Sequence, residues 1–223
     1  MSEARRLTLE QGAQLLGLVL SDAQVEQLLT FVDLIVKWNK VYNLTAVRDA
    51  GEMVTHHLLD SLAAVIPLRR HIGATSHRLL DVGSGAGLPG VVLAICNPGW
   101  QVDCVDTVGK KAAFIQQAAA ELQLKQVRGV HARVETLTGP YDVICSRAFA
   151  SLADFVAASR QALAEQGIWM ALKGKHPTDE LVALLSAATV FHVEQLQVPG
   201  LDAERCIVWM RRAAATQPGN ARP

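Results

Sequence analysis

Apolar residues are spaced in two different ways along these 223 residues. Up to about residue 75 they recur at helical spacing. After Ser21…Gln24, the positions Val25, Leu28, Leu29, Val32, Ile35 and Val36 fall on one helical face. After Asp49…Glu52, Val54, Leu58, Ser61, Leu62 and Val65 do the same, and Pro67 is expected to stop the run. Thr8…Gln11 is a third pair with the spacing of a capping box.

From about residue 77 the pattern changes to short apolar runs alternating with amphipathic ones. Strands are predicted at Arg78–Val82, Gln101–Asp106, Val127–His131, Tyr141–Ser146, Gly167–Leu172, Val190–Gln197 and Cys206–Met210. Helices are predicted to begin near Pro89, across Lys110–Leu122, and after Ser151…Asp154. Alternation of this kind predicts an α/β fold with a mostly parallel, doubly wound sheet. The domain reading is a helical extension over 1–75 packed on a core over 76–212, with a small, polar tail at 213–223 expected to be disordered.

Composition narrows the class. Half the residues are hydrophobic and the formal net charge is zero. Charge alone therefore carries no nucleic-acid signature. The pattern shows neither an apolar run of membrane-spanning length nor a signal-peptide stretch. Cys96, Cys104, Cys145 and Cys206 form no Cys-x-x-Cys pair and read as buried thiols of a cytoplasmic protein. His56 and His57 are neighbours on a helix and point in different directions, so no metal site is expected; His57 and Asp60, at helical spacing, read as a hydrogen-bonded pair.

The densest chemistry lies in Leu79–Gly90, a strand running into Gly83, Gly85, Gly87 and Gly90 with Asp81 just before. Such a turn brings bare backbone to a ligand at the carboxyl edge of a sheet. Gly85-x-Gly87-x-x-Gly90 satisfies a dinucleotide fingerprint. Asp81-x-Gly83-x-Gly85-x-Gly87 satisfies another. A carboxylate beside the turn repels a pyrophosphate and suits a ligand bearing an ammonium or sulfonium. Asp106, about twenty residues on, stands where an acid meets ribose hydroxyls. A nicotinamide-dependent oxidoreductase stays open, weakened by Asp81 and by the lack of an obvious Tyr-x-x-x-Lys.

The second pattern resembles the first motif of Rossmann-like, class I S-adenosylmethionine-dependent methyltransferases. Further segments extend the likeness: Trp38-Asn39-Lys40-Val41-Tyr42-Asn43-Leu44-Thr45-Ala46, His57-Leu58-Leu59-Asp60-Ser61-Leu62, the glycine turn ending Leu88-Pro89-Gly90, Ser146-Arg147-Ala148-Phe149-Ala150, and Leu172-Lys173-Gly174. In this order they resemble the RsmG (GidB) family of bacterial 16S rRNA methyltransferases, which modify N7 of one guanine. Ala86 departs from the proline common there.

The resemblance implies S-adenosylmethionine as cofactor, with Asp81, Gly83, Gly85, Gly87, Leu88, Asp106, Val134, Glu135 and Arg147 around it. It implies that Arg147 positions cofactor or target nucleotide. The partner implied is small-subunit rRNA or the 30S particle, met by a monomer away from membranes. Asn39, Lys40, Lys110, Lys111, Lys173 and Lys175 are the candidate RNA contacts, while Trp38 is either a base platform or core. Arg69-Arg70-His71 and Arg128/His131/Arg133 are further basic clusters. A ribosome assembly factor that holds the cofactor without catalysis is the alternative.

Overall fold

The computed structural model describes residues 3–73, 75–184 and 188–213. The tail expected to be disordered lies outside them from residue 214 on. Seven strands form one sheet: β1 Arg78–Val82, β2 Gln101–Asp106, β3 Val127–His131, β4 Tyr141–Arg147, β5 Leu163–Lys173, β6 Ala188–Leu196 and β7 Arg205–Arg212. Their order is β3-β2-β1-β4-β5-β7-β6. The first five run parallel, and β7 is antiparallel to both β5 and β6. Helical crossovers return the chain to the same sheet end, which keeps successive strands parallel. The chain winds outward from β1 in one direction and from β4 in the other. A crevice therefore opens between the carboxyl ends of these two strands, where open α/β sheets bind ligands.

Period-2 alternation divides the sheet residues between two cores. Leu79, Val102, Val143, Met170 and Trp209 face one layer, and Leu80, Val105, Ile144, Trp169 and Val208 face the other. The first layer holds α6 Gly90–Cys96 and α7 Gly109–Glu121, and the second holds α8 Leu152–Ser159 and α9 Thr178–Ala183.

The N-terminal helices are α1 Glu3–Leu15 and α2 Asp22–Tyr42. They extend the first core without a break. Ser21 starts α2 with a complete capping box. Gln24 and Gln27 of α2 donate to Ile95 O and Leu122 O, each at 2.9 Å. Phe31 stacks on Phe114, and Trp38 meets Phe114 edge-on at 5.5 Å. Trp38 is thus partly buried against the core.

Asp49 caps α3 Ala50–Met53, which passes into a π-helical turn, Val54–Leu59, then α4 Asp60–Leu62 and α5 Val65–Ile72. Two expectations are corrected here. Thr8 lies inside α1, where its hydroxyl bonds Ala4 O, so it caps nothing. Pro67 is the third residue of α5, where a missing N–H leaves no intrahelical bond unmade.

Candidate active site

The glycine turn is conformationally demanding. Gly83, Gly85 and Gly87 have φ of +66°, +58° and +85°, which side chains rarely tolerate. Behind the turn, Asp81 is fully buried. Its Oδ2 accepts the Gly90 N–H at 2.9 Å, and the Cys145 thiol lies 3.7 Å from Oδ1. Burial lifts its pKa to about 7 against the opposing pull of the Gly90 bond. Asp81 pins the start of α6 to β1 and does not reach a ligand cavity. The alternation signals this, since Asp81 shares its sheet face with Leu79, the face that α6 covers. Leu88 is likewise buried in the first core.

A cavity of about 650 Å³ opens beside the turn. Val82–Gly83, Asp106–Val108, Lys111, Ala132–Glu135 and Phe149 line it. Gly85, Gly87, Leu88 and Arg147 stand outside that lining. Asp106 ends β2 and is its organising charge. Oδ1 accepts Val108 N–H at 2.8 Å and Oδ2 accepts Gly85 N–H at 3.0 Å. Lys111 Nζ is 3.6 Å from Oδ2, so Lys111 belongs to this cavity and not to an outer rim. Each carboxylate oxygen keeps a lone pair for a further donor. Apolar walls at Val82, Val134 and Phe149 beside a carboxylate fit a nucleoside with its ribose hydroxyls at Asp106. Glu135 pairs with Arg133 at 3.5 Å on the rim.

A second cavity of about 370 Å³ lies on the other side of the β4 end. Val47, His56, His57, Asp60, Arg147, Ala148, Leu172, Lys173, Gly174 and Arg205 line it. Ala148 has φ of +75°, a backbone state disfavoured for alanine and characteristic of functional turns. That turn sends Arg147 to the second cavity and Phe149 to the first.

The buried Asp60 carboxylate accepts from Arg147 Nη1 at 2.9 Å and from Arg205 Nε at 2.7 Å. His57 does not pair with Asp60 as expected; its Nε2 is 2.8 Å from Thr45 Oγ1. The π-helical turn changes the helical register on which the expected pairing relied. Burial, then the Arg147 charge, lowers the His57 pKa to about 4, so the ring is neutral at pH 7. Arg205 was missed in the sequence because its partner is 145 residues away. A lone arginine at a strand start carries no local signal.

The candidate RNA contacts separate. Asn39 is corrected: it is buried, its amide donates to Thr45 O and Val47 O, and its oxygen accepts Thr45 N–H. It braces the loop after α2. Lys173 is bound to Glu180 at 2.8 Å, and Glu180 also accepts Leu152 N–H at the start of α8. Lys40, Lys110 and Lys175 are exposed, Lys110 lying 6.0 Å from the Tyr42 ring. Arg69 bonds Asn97 and Cys96 O, Arg70 pairs with Glu194, and Arg128 with Asp103. These last three are committed to the scaffold.

The family model of rRNA small subunit methyltransferase G (GidB) matches residues 24–208. The chain belongs to this family. A relative named ribosomal RNA small subunit methyltransferase G from Acidovorax ebreus (strain TPSY) is 66% identical over 92% of this chain and 95% of its own. One of the same name from Polaromonas sp. (strain JS666 / ATCC BAA-500) is 66% identical over 93% of each. Among solved structures, the Burkholderia thailandensis 1,6-didemethyltoxoflavin-N1-methyltransferase superposes with a TM-score of 0.56 at 16% identity, over 87% of this chain and 92% of that one. The Thermus thermophilus 16S rRNA N2 G1207 methyltransferase superposes at 0.53 and 18%, over 69% and 43%. The GidB-family chain therefore has the Rossmann-like class I methyltransferase fold. Among the described residues, no helix is long and apolar enough to cross a membrane.

Proposed function

We propose that this GidB-family chain transfers a methyl group from S-adenosylmethionine to N7 of a guanine in 16S rRNA. The observation that carries the reading is the pair of cavities flanking the turn after β4, with Phe149 lining one and Arg147 and Ala148 the other. One has the lining of a nucleoside site. The other carries cationic side chains.

Bound in the first cavity, S-adenosylmethionine supplies an electrophilic methyl on a sulfonium. Asp106 would hold its ribose, Val134 and Phe149 its adenine, and the Gly83 backbone would pass close to it. Guanine N7 has a free lone pair and no proton to lose. The chain therefore needs no general base, and its work is to align the acceptor. An arginine bound to N7 would block the reacting atom, since N7 and O6 share one edge. Arg147, fixed by Asp60 at 2.9 Å, acts as a positioning residue in the second cavity. Membership of the GidB family supports small-subunit rRNA or the 30S particle, in the cytoplasm, as the partner.

Incubation with labelled S-adenosylmethionine and either small subunits or bare rRNA, followed by mapping of the modified base, tests the reading. Label at guanine N7 is expected. Label on an adenine or a pyrimidine refutes the base assignment, and cofactor binding without transfer favours an assembly factor. Arg147→Ala should abolish transfer with the fold intact; near-normal turnover would remove Arg147 from the mechanism.

A further inference from the structure

The second cavity holds charge that methyl transfer to N7 does not itself require. Arg147 comes from the end of β4 and Arg205 from the first residue of β7. Only the antiparallel run of β7 places its first residue at the carboxyl edge of the parallel strands. Both guanidiniums meet one carboxylate, Asp60, which is 3% exposed. Two positive charges on one negative charge leave a surplus of one. Lys173 adds none, being paired with Glu180.

The donors are also unspent. Among the described residues, Arg147 uses only Nη1, on Asp60 and His56 O. Arg205 uses Nε on Asp60 and Nη1 on Glu204 O. Arg147 Nε and Nη2 and Arg205 Nη2 remain for a ligand. Side-chain exposures of 24% and 26% keep both arginines within reach of it.

We infer that Arg147 and Arg205, aligned on Asp60, bind a phosphodiester of the target strand next to the methylated nucleotide. This deepens the proposed rRNA reading and rests on it. A phosphodiester carries one negative charge and paired oxygens, matching the surplus charge and the forked donors. A guanine Watson–Crick edge fits less well, because it presents N–H donors, guanidiniums cannot accept, and the Asp60 carboxylate is buried. Asp60 is then a positioning residue. Its carboxylate turns two mobile guanidiniums into one fixed clamp.

The test uses Arg205→Gln and Arg205→Lys in the full chain. Binding of 16S rRNA is followed across a salt series, with steady-state methylation and calorimetry for S-adenosylmethionine. Arg205→Gln should lower the slope of log affinity against log salt by about 0.7 to 0.9, the loss of one phosphate contact. KM for RNA should rise about tenfold, while cofactor affinity stays within twofold. Arg205→Lys keeps the charge and should keep the slope. An unchanged slope and KM in Arg205→Gln overturns the clamp even where the wild type methylates guanine normally. Absent methylation by the wild type instead overturns the functional reading, and the salt slope still decides the clamp. Should Arg205→Gln not fold, side-chain NMR of the wild type decides. The Arg147 and Arg205 Nε–H resonances should move with a guanosine-containing dinucleotide monophosphate and not with guanosine; equal response to both overturns the inference.

Discussion

Asp81 and His57 set opposing pH dependences of stability, and Asp81→Asn exposes the opposition. Asp81 is fully buried, and burial lifts its pKa from 3.8 to about 7. Ionising it therefore costs the folded chain roughly 4 kcal/mol more than the unfolded one. Between about pH 4 and 7 the folded chain binds the extra proton. The stability held by neutral Asp81 is fully present below 3.8 and is lost as pH rises through 7.

His57 is shifted the other way, from 6.5 to about 4. Its contribution, roughly 3 kcal/mol, is present above 6.5 and lost as pH falls through 4. From about pH 4 to 6.5 the two slopes, each about 1.4 kcal/mol per pH unit, cancel. Asn at position 81 still accepts the Gly90 N–H but cannot ionise. Urea unfolding at half-unit pH steps should show the stability of Asp81→Asn, minus that of wild type, rising by about 4 kcal/mol between pH 4 and 7 and then levelling. His57→Gln, minus wild type, should fall by about 3 kcal/mol between pH 4 and 6.5. A difference curve for Asp81→Asn that is flat or falls with pH would refute the account of Asp81 as a buried strut.

Two further perturbations probe the glycine turn. A Cβ at Gly90 would sit 2.5 Å from Cys104 Sγ and 2.9 Å from Asp81 Oδ2. Gly90→Ala should thus cost about 1–3 kcal/mol in urea unfolding, part of it regained in Gly90→Ala/Cys104→Ala; a fully additive pair would discount the clash. Asp106→Asn cannot accept both Val108 N–H and Gly85 N–H, so calorimetry should show S-adenosylmethionine affinity about tenfold to a hundredfold weaker, from about 1.5–3 kcal/mol of charged hydrogen bonding. Unchanged affinity would move the cofactor away from Asp106.

Much of the fold was legible because local forces dictate it. Short apolar runs marked all seven strands, and Ser21, Asp49 and Ser151 marked helix starts through their own side-chain bonds. The first strand, the glycine turn and the acid at the end of β2 were readable from spacing alone. Errors came where a local sign has a non-local meaning. Pro67 looks like a stop and is a first-turn residue. Asn39 looks like a polar surface group and is a buried brace. β5 begins at Leu163, ahead of the expected Gly167, because pairing of Leu163 with Tyr141 of β4 extends it.

The sequence by itself determined the strand–helix alternation, the strained turn at Gly83–Gly87 and the family. Each is written in residues close together along the chain. Tertiary structure decided which acids border a cavity. It folded α6 over the Asp81 face, left Asp106 at a cavity, and brought Asp60, Arg147 and Arg205 together from three distant segments. A charge cluster of that kind depends on strand order and direction, which no local spacing encodes.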